Sequence, residues 1–303
     1  MVVETENLTK MYGAKTGCEE ICLSVGEGQI FGFLGPNGAG KSTLIKMLVG
    51  LLFPTSGSAR LLGRPLGDLG ARSKIGFLPE NFRYQQWLTG RELLKLHASL
   101  YRMDGPESER RIPEVLELVG LQGQADRRAG GYSKGMQQRI GLALAILPNP
   151  DLIFLDEPAS ALDPIGRREV REIMLNLRRS GKTVFLNSHL LSEVEMICDE
   201  VAIINRGRIV AGGRLAELLA CSVEVVMEIG GISPEILDRL STLGRVLAVD
   251  GPRVRLALES RDKIPATARA IVETGGLLYR LEPRQNSLED LFMDLVQKEG
   301  SAC

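Results

Sequence analysis

Residues 31–43 read FGFLGPNGAGKST, and this stretch decides the fold. An apolar run enters a glycine-rich loop that closes on Lys41, Ser42 and Thr43, and STLIKMLVGLL follows with helical character. Gly35, Pro36, Asn37, Gly38, Ala39, Gly40, Lys41 and Ser42 satisfy G-x-x-x-x-G-K-[ST] with the required strand before and helix after. Glycines let successive backbone N–H groups turn inward on phosphate oxygens, and the helix start adds partial positive charge. Lys41 is expected to reach the β- and γ-phosphates of a nucleotide, and the Ser42 hydroxyl to ligate Mg²⁺. The bland alternative is a tight strand-to-helix turn with a solvated lysine.

Outward from the loop, four short apolar runs recur: IFGFL (30–34), LIFLD (152–156), TVFLN (183–187) and VAIIN (201–205). Continuous apolarity over such lengths predicts strands buried on both faces, hence a parallel α/β sheet. Ligands of such sheets sit beyond the carboxyl ends of the strands. Asp156 closes one strand and is placed to hold Mg²⁺; Glu157 beside it is placed to take a proton from an attacking water. Two acidic residues after a core strand are equally an ordinary helix start. His189 follows TVFLNS and is expected at the same edge, where it would contact a γ-phosphate. His97, in an amphipathic stretch, reads as a surface or packing residue.

From about 83 to 148 the strand signal stops. TGRELLKLHASLYRM opens with a Thr89…Glu92 capping box and SERRIPEVLELVGL has helical apolar spacing, so a helical insertion is expected inside the sheet domain. After about 221 the order reads β-α-β-β-α-β: SVEVVMEI, PEILDRLSTL, a hairpin turning near Asp250-Gly251, DKIPATARAIVET and LLYRL. A closing helix, SLEDLFMDLVQKE, begins with Ser287 as N-cap and lines up Leu288, Leu291, Phe292, Leu295 and Val296. That order is the ferredoxin-like split βαβ.

Composition narrows the function. The 303 residues carry a net charge of −1 and a pI near 6.3, which gives no electrostatic footprint for nucleic acid. The run RREVREIMLNLRR (167–179) then reads as a solvated helix face. Five cysteines at 18, 22, 198, 221 and 303 form no C-x-x-C pair, so a reducing compartment is expected and a metal site at Cys18/Cys22 is not. MVVETENLTK is no signal peptide, and no apolar run approaches the roughly 18–20 residues of a membrane span, so a soluble protein is expected.

YSKGMQQR (132–139), together with GPNGAGKST, LDEP, SALDP (160–164) and NSH in that order, resembles the nucleotide-binding subunit of an ATP-binding cassette (ABC) transporter over about 1–220. The resemblance implies an α/β P-loop NTPase fold, an ABC-type nucleotide-binding domain with an inserted helical subdomain at about 83–148. A small α+β ferredoxin-like domain over 221–303 then follows. It also implies site roles. Tyr12 in LTKMYG matches the aromatic that stacks on adenine, and Glu80 in LPEN stands at the Q-loop position with a metal-facing oxygen. Ser133 and Gly135 are the signature-loop residues that touch phosphate; Glu157 is the catalytic carboxylate, Asp163 the D-loop aspartate and His189 the switch histidine. Ser133 alone would also suit a plain capped helix, though its hydroxyl and the neighbouring N–H groups make an anion site.

Two departures from the commoner pattern stand out: Lys134 and Met136 replace a glycine and a glutamine of the signature, and Glu80 replaces the Q-loop glutamine. Both departures resemble a prokaryotic branch whose partners are separate ABC-2-type export permeases, and the tail at 284–296 extends that likeness. The implied function is ATP hydrolysis with Mg²⁺, powering export through a separate integral-membrane permease from the cytoplasmic face. One phosphate loop and one signature loop per chain imply a head-to-tail dimer with a second ATP-binding subunit, read as a homodimer. A soluble ABC ATPase acting on DNA or the ribosome, and a nucleotide-gated regulator, are the alternatives. The cargo is not legible.

Overall fold

The structure, a computed structural model, describes residues 1–160, 162–220, 223–285 and 287–300. Ala161 of SALDP, Cys221 and Ser222 at the expected start of the second domain, Asn286 of the tail match and Cys303 lie outside the described residues. The chain divides into two compact units, Met1–Gly212 and Gly213–Cys303. The division falls earlier than the pattern change after 220, because the short helix Leu215–Ala220 goes with the second unit.

In the first unit a six-stranded sheet runs in the order Arg208–Arg214, Glu200–Asn205, Ile30–Leu34, Thr183–Asn187, Leu152–Asp156, Ile75–Leu78. The pairings from Glu200–Asn205 through to Ile75–Leu78 are parallel. Strands 30–34, 152–156 and 183–187 are buried at every position, as their unbroken apolarity requires. Phe31, Phe185 and Phe154 fall in one register row, and their rings meet at 5.3 and 5.2 Å between centroids. Two residues on, the next row of the same face is Phe33, Asn187 and Asp156. A stiff aromatic floor therefore lies directly under the polar end of the sheet.

An antiparallel sheet of Lys15–Val25, Val3–Tyr12, Ser56–Leu61 and Arg64–Pro65 was not anticipated. Register shifts interrupt Val3–Tyr12 on both sides, and Asn7 (φ 48°) and Glu20 (φ 50°) lie in the left-handed region. Bulges break the period-2 alternation by which a half-buried strand is recognised.

The inserted segment is helical, with Gly90–Leu100, Gly105–Leu118 and Lys134–Ile146 burying Leu93, Leu94, Ile112, Val115, Ile140 and Leu142. The Thr89 capping box forms in both directions: Glu92 N–H donates to Thr89 Oγ1 at 3.2 Å, and Thr89 N–H donates to Glu92 Oε2 at 2.8 Å.

The second unit holds a four-stranded antiparallel sheet ordered Arg245–Asp250, Arg253–Leu258, Val223–Gly230, Leu277–Gln285. Helices Pro234–Leu243 and Ile264–Glu273 bring Ile236, Leu240 and Ile271 against Val225, Met227, Ile229, Val254, Leu256 and Leu258. The hairpin turns through Gly251-Pro252, where Gly251 has φ 55° and Asp250 pairs with Arg253. Helix Leu288–Gly300 opens as expected, with Asp290 N–H donating to Ser287 Oγ at 3.1 Å.

Candidate functional site

The loop from Gly35 to Gly40 joins strand Ile30–Leu34 to helix Lys41–Leu48. Gly35 is confined: a Cβ there would stand 2.3 Å from the Ile204 carbonyl oxygen of the neighbouring strand. Gly40 has φ 110°, and a Cβ would stand 2.2 Å from Gly17 O, so both glycines are demanded by backbone. Gly40 supplies no side-chain cap to the helix, so the first N–H groups are free of a local side-chain acceptor. Lys41 is buried and turns back over the loop, donating to Gly35 O at 2.7 Å and Pro36 O at 3.1 Å. Burial holds its ammonium below the ordinary lysine range, while the charges of Glu157, Asp156 and Glu80 act the other way. One lysine thus sits in the field of three carboxylates.

The register of the sheet sets Asp156 beside Asn187 and Asn187 beside Phe33, so three strand ends open together. Asp156 and Glu157 are both buried, at 3% and 8% exposure. Asn187 Nδ2 donates to Asp156 Oδ1, and Glu157 N–H donates to Asn187 O at 2.9 Å. Glu157 takes φ 54°, a left-handed conformation that costs a non-glycine residue roughly 1–3 kcal/mol. That turn directs its carboxylate to His189, whose Nδ1 lies 2.7 Å from Oε2. His189 itself is half exposed, so the pair joins a buried carboxylate to an open ring.

Tyr12 and Thr43 flank Gly17: a Cβ at Gly17 would meet Tyr12 Cε2 at 2.8 Å and Thr43 Cγ2 at 3.1 Å. An exposed aromatic ring therefore stands next to the loop. Glu80 follows strand Ile75–Leu78 at the sheet edge, exposed, and close enough to Lys41 for its charge to register there.

Ser133, Gly135 and Asp163 are organised otherwise. Ser133 caps helix Lys134–Ile146, accepting from Met136 N–H at 3.3 Å, and it is exposed. Asp163 caps helix Pro164–Arg179, accepting from Gly166 N–H at 2.8 Å. Among the described residues their hydrogen bonds go to their own helices and none to the phosphate loop.

The oxygens of Ser42, Asp156 and Glu80 suit a hard divalent cation. Among the described residues no three His, Cys, Asp or Glu side chains form a ready cage, so such an ion would complete its shell with phosphate oxygens and water. Sequence reading assigned Glu157 and His189 without pairing them and gave Asn187 no part. A polar residue ending an otherwise apolar strand was the available signal.

A family model described as ABC transporter matches residues 18–160, which takes in the phosphate loop, Ser133 and Glu157. An uncharacterized ABC transporter ATP-binding protein of Nostoc sp. is 41% identical over 99% of this chain and 91% of its own length. The bacitracin transport ATP-binding protein BcrA of Enterococcus faecalis is 36% identical over 99% of this chain and 98% of its own. A solved dimeric ATP-binding cassette in a post-hydrolysis state, bound to ADP and Pi, superposes with TM-score 0.64 at 28% identity, covering 70% of this chain and 98% of that one. With relatives this similar along nearly their whole length, the chain belongs to the ATP-binding proteins of the ABC transporter family.

Proposed function

We propose that this chain is the ATP-hydrolysing subunit that drives export through a separate membrane permease. The observation that carries the chemistry is the convergence of Lys41, Asp156, Glu157 and His189 on one edge of the sheet, with Glu157 and His189 in hydrogen-bond contact. Loop N–H groups from Gly35 to Thr43 and the Lys41 ammonium hold the phosphates, and Tyr12 meets the adenine. Glu157 accepts the proton of a water attacking the γ-phosphorus in line; the bond to the bridging oxygen breaks, and ADP and phosphate leave. His189 keeps Glu157 oriented and presents its other ring nitrogen to the γ-phosphate. Mg²⁺, when bound, neutralises phosphate charge, and Ser42, Asp156 and Glu80 are the residues that would hold it.

Ser133 and Gly135 complete the site from a second copy, so two chains sandwich two nucleotides head to tail, with Asp163 at the seam. That the signature helix start is exposed and bonded only within its own helix supports this reading. The relatives named for bacitracin transport, Nod factor export and linearmycin resistance favour an export partner; Glu80, Lys134 and Met136 favour an ABC-2-type permease, met at the cytoplasmic membrane face. No helix among the described residues is long and apolar enough to cross a membrane. The unit Met1–Gly212 serves as the nucleotide-binding domain and the unit Gly213–Cys303 as an accessory domain, a boundary slightly earlier than 220; the strand order of the second supports a ferredoxin-like assignment.

The test is to express tagged Glu157→Gln protein in its host, solubilise membranes in mild detergent and identify what co-purifies with ATP. A stoichiometric polytopic membrane protein is expected. Ribosomes, DNA or soluble partners alone would defeat the export reading.

A further inference from the structure

Asn187 is 1% exposed and ends the strand Thr183–Asn187 directly above the phenylalanine row. An amide in so apolar a place is retained only where its hydrogen bonds repay its desolvation. Its Nδ2 donates to Asp156 Oδ1, yet its own Oδ1 is buried without a hydrogen-bond partner among the described residues. The orientation of the amide is therefore set at one end only, by the carboxylate. Its backbone oxygen meanwhile accepts from Glu157 N–H at 2.9 Å, at the residue held in the left-handed conformation. Two residues further on, His189 reaches the Glu157 side chain at 2.7 Å. The segment 187–189 thus grips the Asp156-Glu157 pair at three points, two on Glu157 and one on Asp156.

We infer that Asn187 is a positioning residue that holds Asp156 in its cation-binding orientation and ties it to the segment bearing His189. A donor fixed on Oδ1 keeps the carboxylate in one rotamer and leaves its other oxygen for the ion. Hydrogen-bond partners of ligating carboxylates typically matter about 10–100-fold in metal affinity. This rests on the proposed role of Asp156 at the cation.

The experiment uses the full-length protein loaded with a non-hydrolysable ATP analogue and titrates Mn²⁺ by electron paramagnetic resonance. Asn187→Leu keeps the bulk and removes the donor; Asn187→Ala removes the donor and leaves a cavity. Both are expected to weaken Mn²⁺ binding about 10–100-fold, irrespective of their melting temperatures. Analogue binding in EDTA should be unchanged. In turnover, the half-saturating Mg²⁺ concentration should rise. Mn²⁺ affinity within about threefold of wild type in either folded variant, well short of the range expected of such partners, overturns the inference. Asp156→Asn separates the two levels: if it too binds Mn²⁺ normally, the cation-side reading of Asp156 has failed, whereas normal binding in the Asn187 variants alone sinks only the role given to Asn187.

Discussion

The carboxyl edge of the central sheet and the start of helix Lys134–Ile146 are both suited to anions, but they are made differently. At the sheet edge Lys41, Asp156 and Glu157 are buried and cross-linked within the chain: Lys41 to its loop, Asp156 to Asn187, Glu157 to His189. At the helix start, Ser133 is exposed and satisfied by its own helix. The first arrangement is preorganised, with the buried floor holding charged groups that would otherwise relax. The second faces outward, and in the proposed function it meets the nucleotide of a second copy. The difference teaches where the chain is self-sufficient in the proposed chemistry and where it depends on a second copy.

The largest effect should come from the inward half. Glu157→Gln is expected to lower kcat by roughly 10²–10⁴ while ATP still binds. The stalled protein should accumulate as a dimer, read by size-exclusion chromatography with light scattering. A variant that stays monomeric with ATP and Mg²⁺ would break the division between the two halves.

Lys41→Ala comes next. Loss of a fixed charge aimed at the reacting phosphate is expected to cost about 10²–10³ in turnover. A steady-state ATPase assay checks it, and undiminished turnover would remove Lys41 from the site.

Ser133→Ala sharpens the comparison most. The lost cap should destabilise the protein by about 0.5–2 kcal/mol, measured by urea unfolding. ATP binding to the monomer should be untouched, and ATP-induced dimerisation weakened. Weaker ATP binding in the monomer would instead mean that Ser133 serves the nucleotide of its own chain.

The smallest effect lies outside both halves. His97 is half-buried in helix Gly90–Leu100, and burial pushes its imidazole below the ordinary 6.5. A lowered histidine favours the neutral ring in the folded state, so the unfolded chain binds more protons. Its stabilising contribution is then whole above pH 6.5 and declines as pH falls toward the folded value. His97→Gln should flatten that part of the stability curve without altering turnover at neutral pH; an unchanged curve would count against the burial argument.

Much of the fold was legible because the inner strands are buried on both faces. IFGFL, LIFLD and TVFLN have no reason to alternate, and their ends name the residues of the edge. The capping box at Thr89 and the turn at Gly251 are local chemistry and were equally plain. Strand Val3–Tyr12 was not, because its bulges scramble the alternation that would betray it. Strand Ile75–Leu78 was too short to stand out.

By itself the sequence determined the phosphate loop, the parallel core and the residues that end its strands, since glycine placement and apolar runs act over a few neighbouring positions. Only the tertiary structure decided who touches whom. Asp156 and Asn187 are separated by a helix and a turn, and they meet because parallel register sets them in one row. Glu157 reaches His189 because its backbone adopts a left-handed turn that no local pattern announces. Lys41 collects the fields of three carboxylates because separate strands end at one edge. Such contacts depend on register and strand order, which arise from packing the whole core rather than from any single segment.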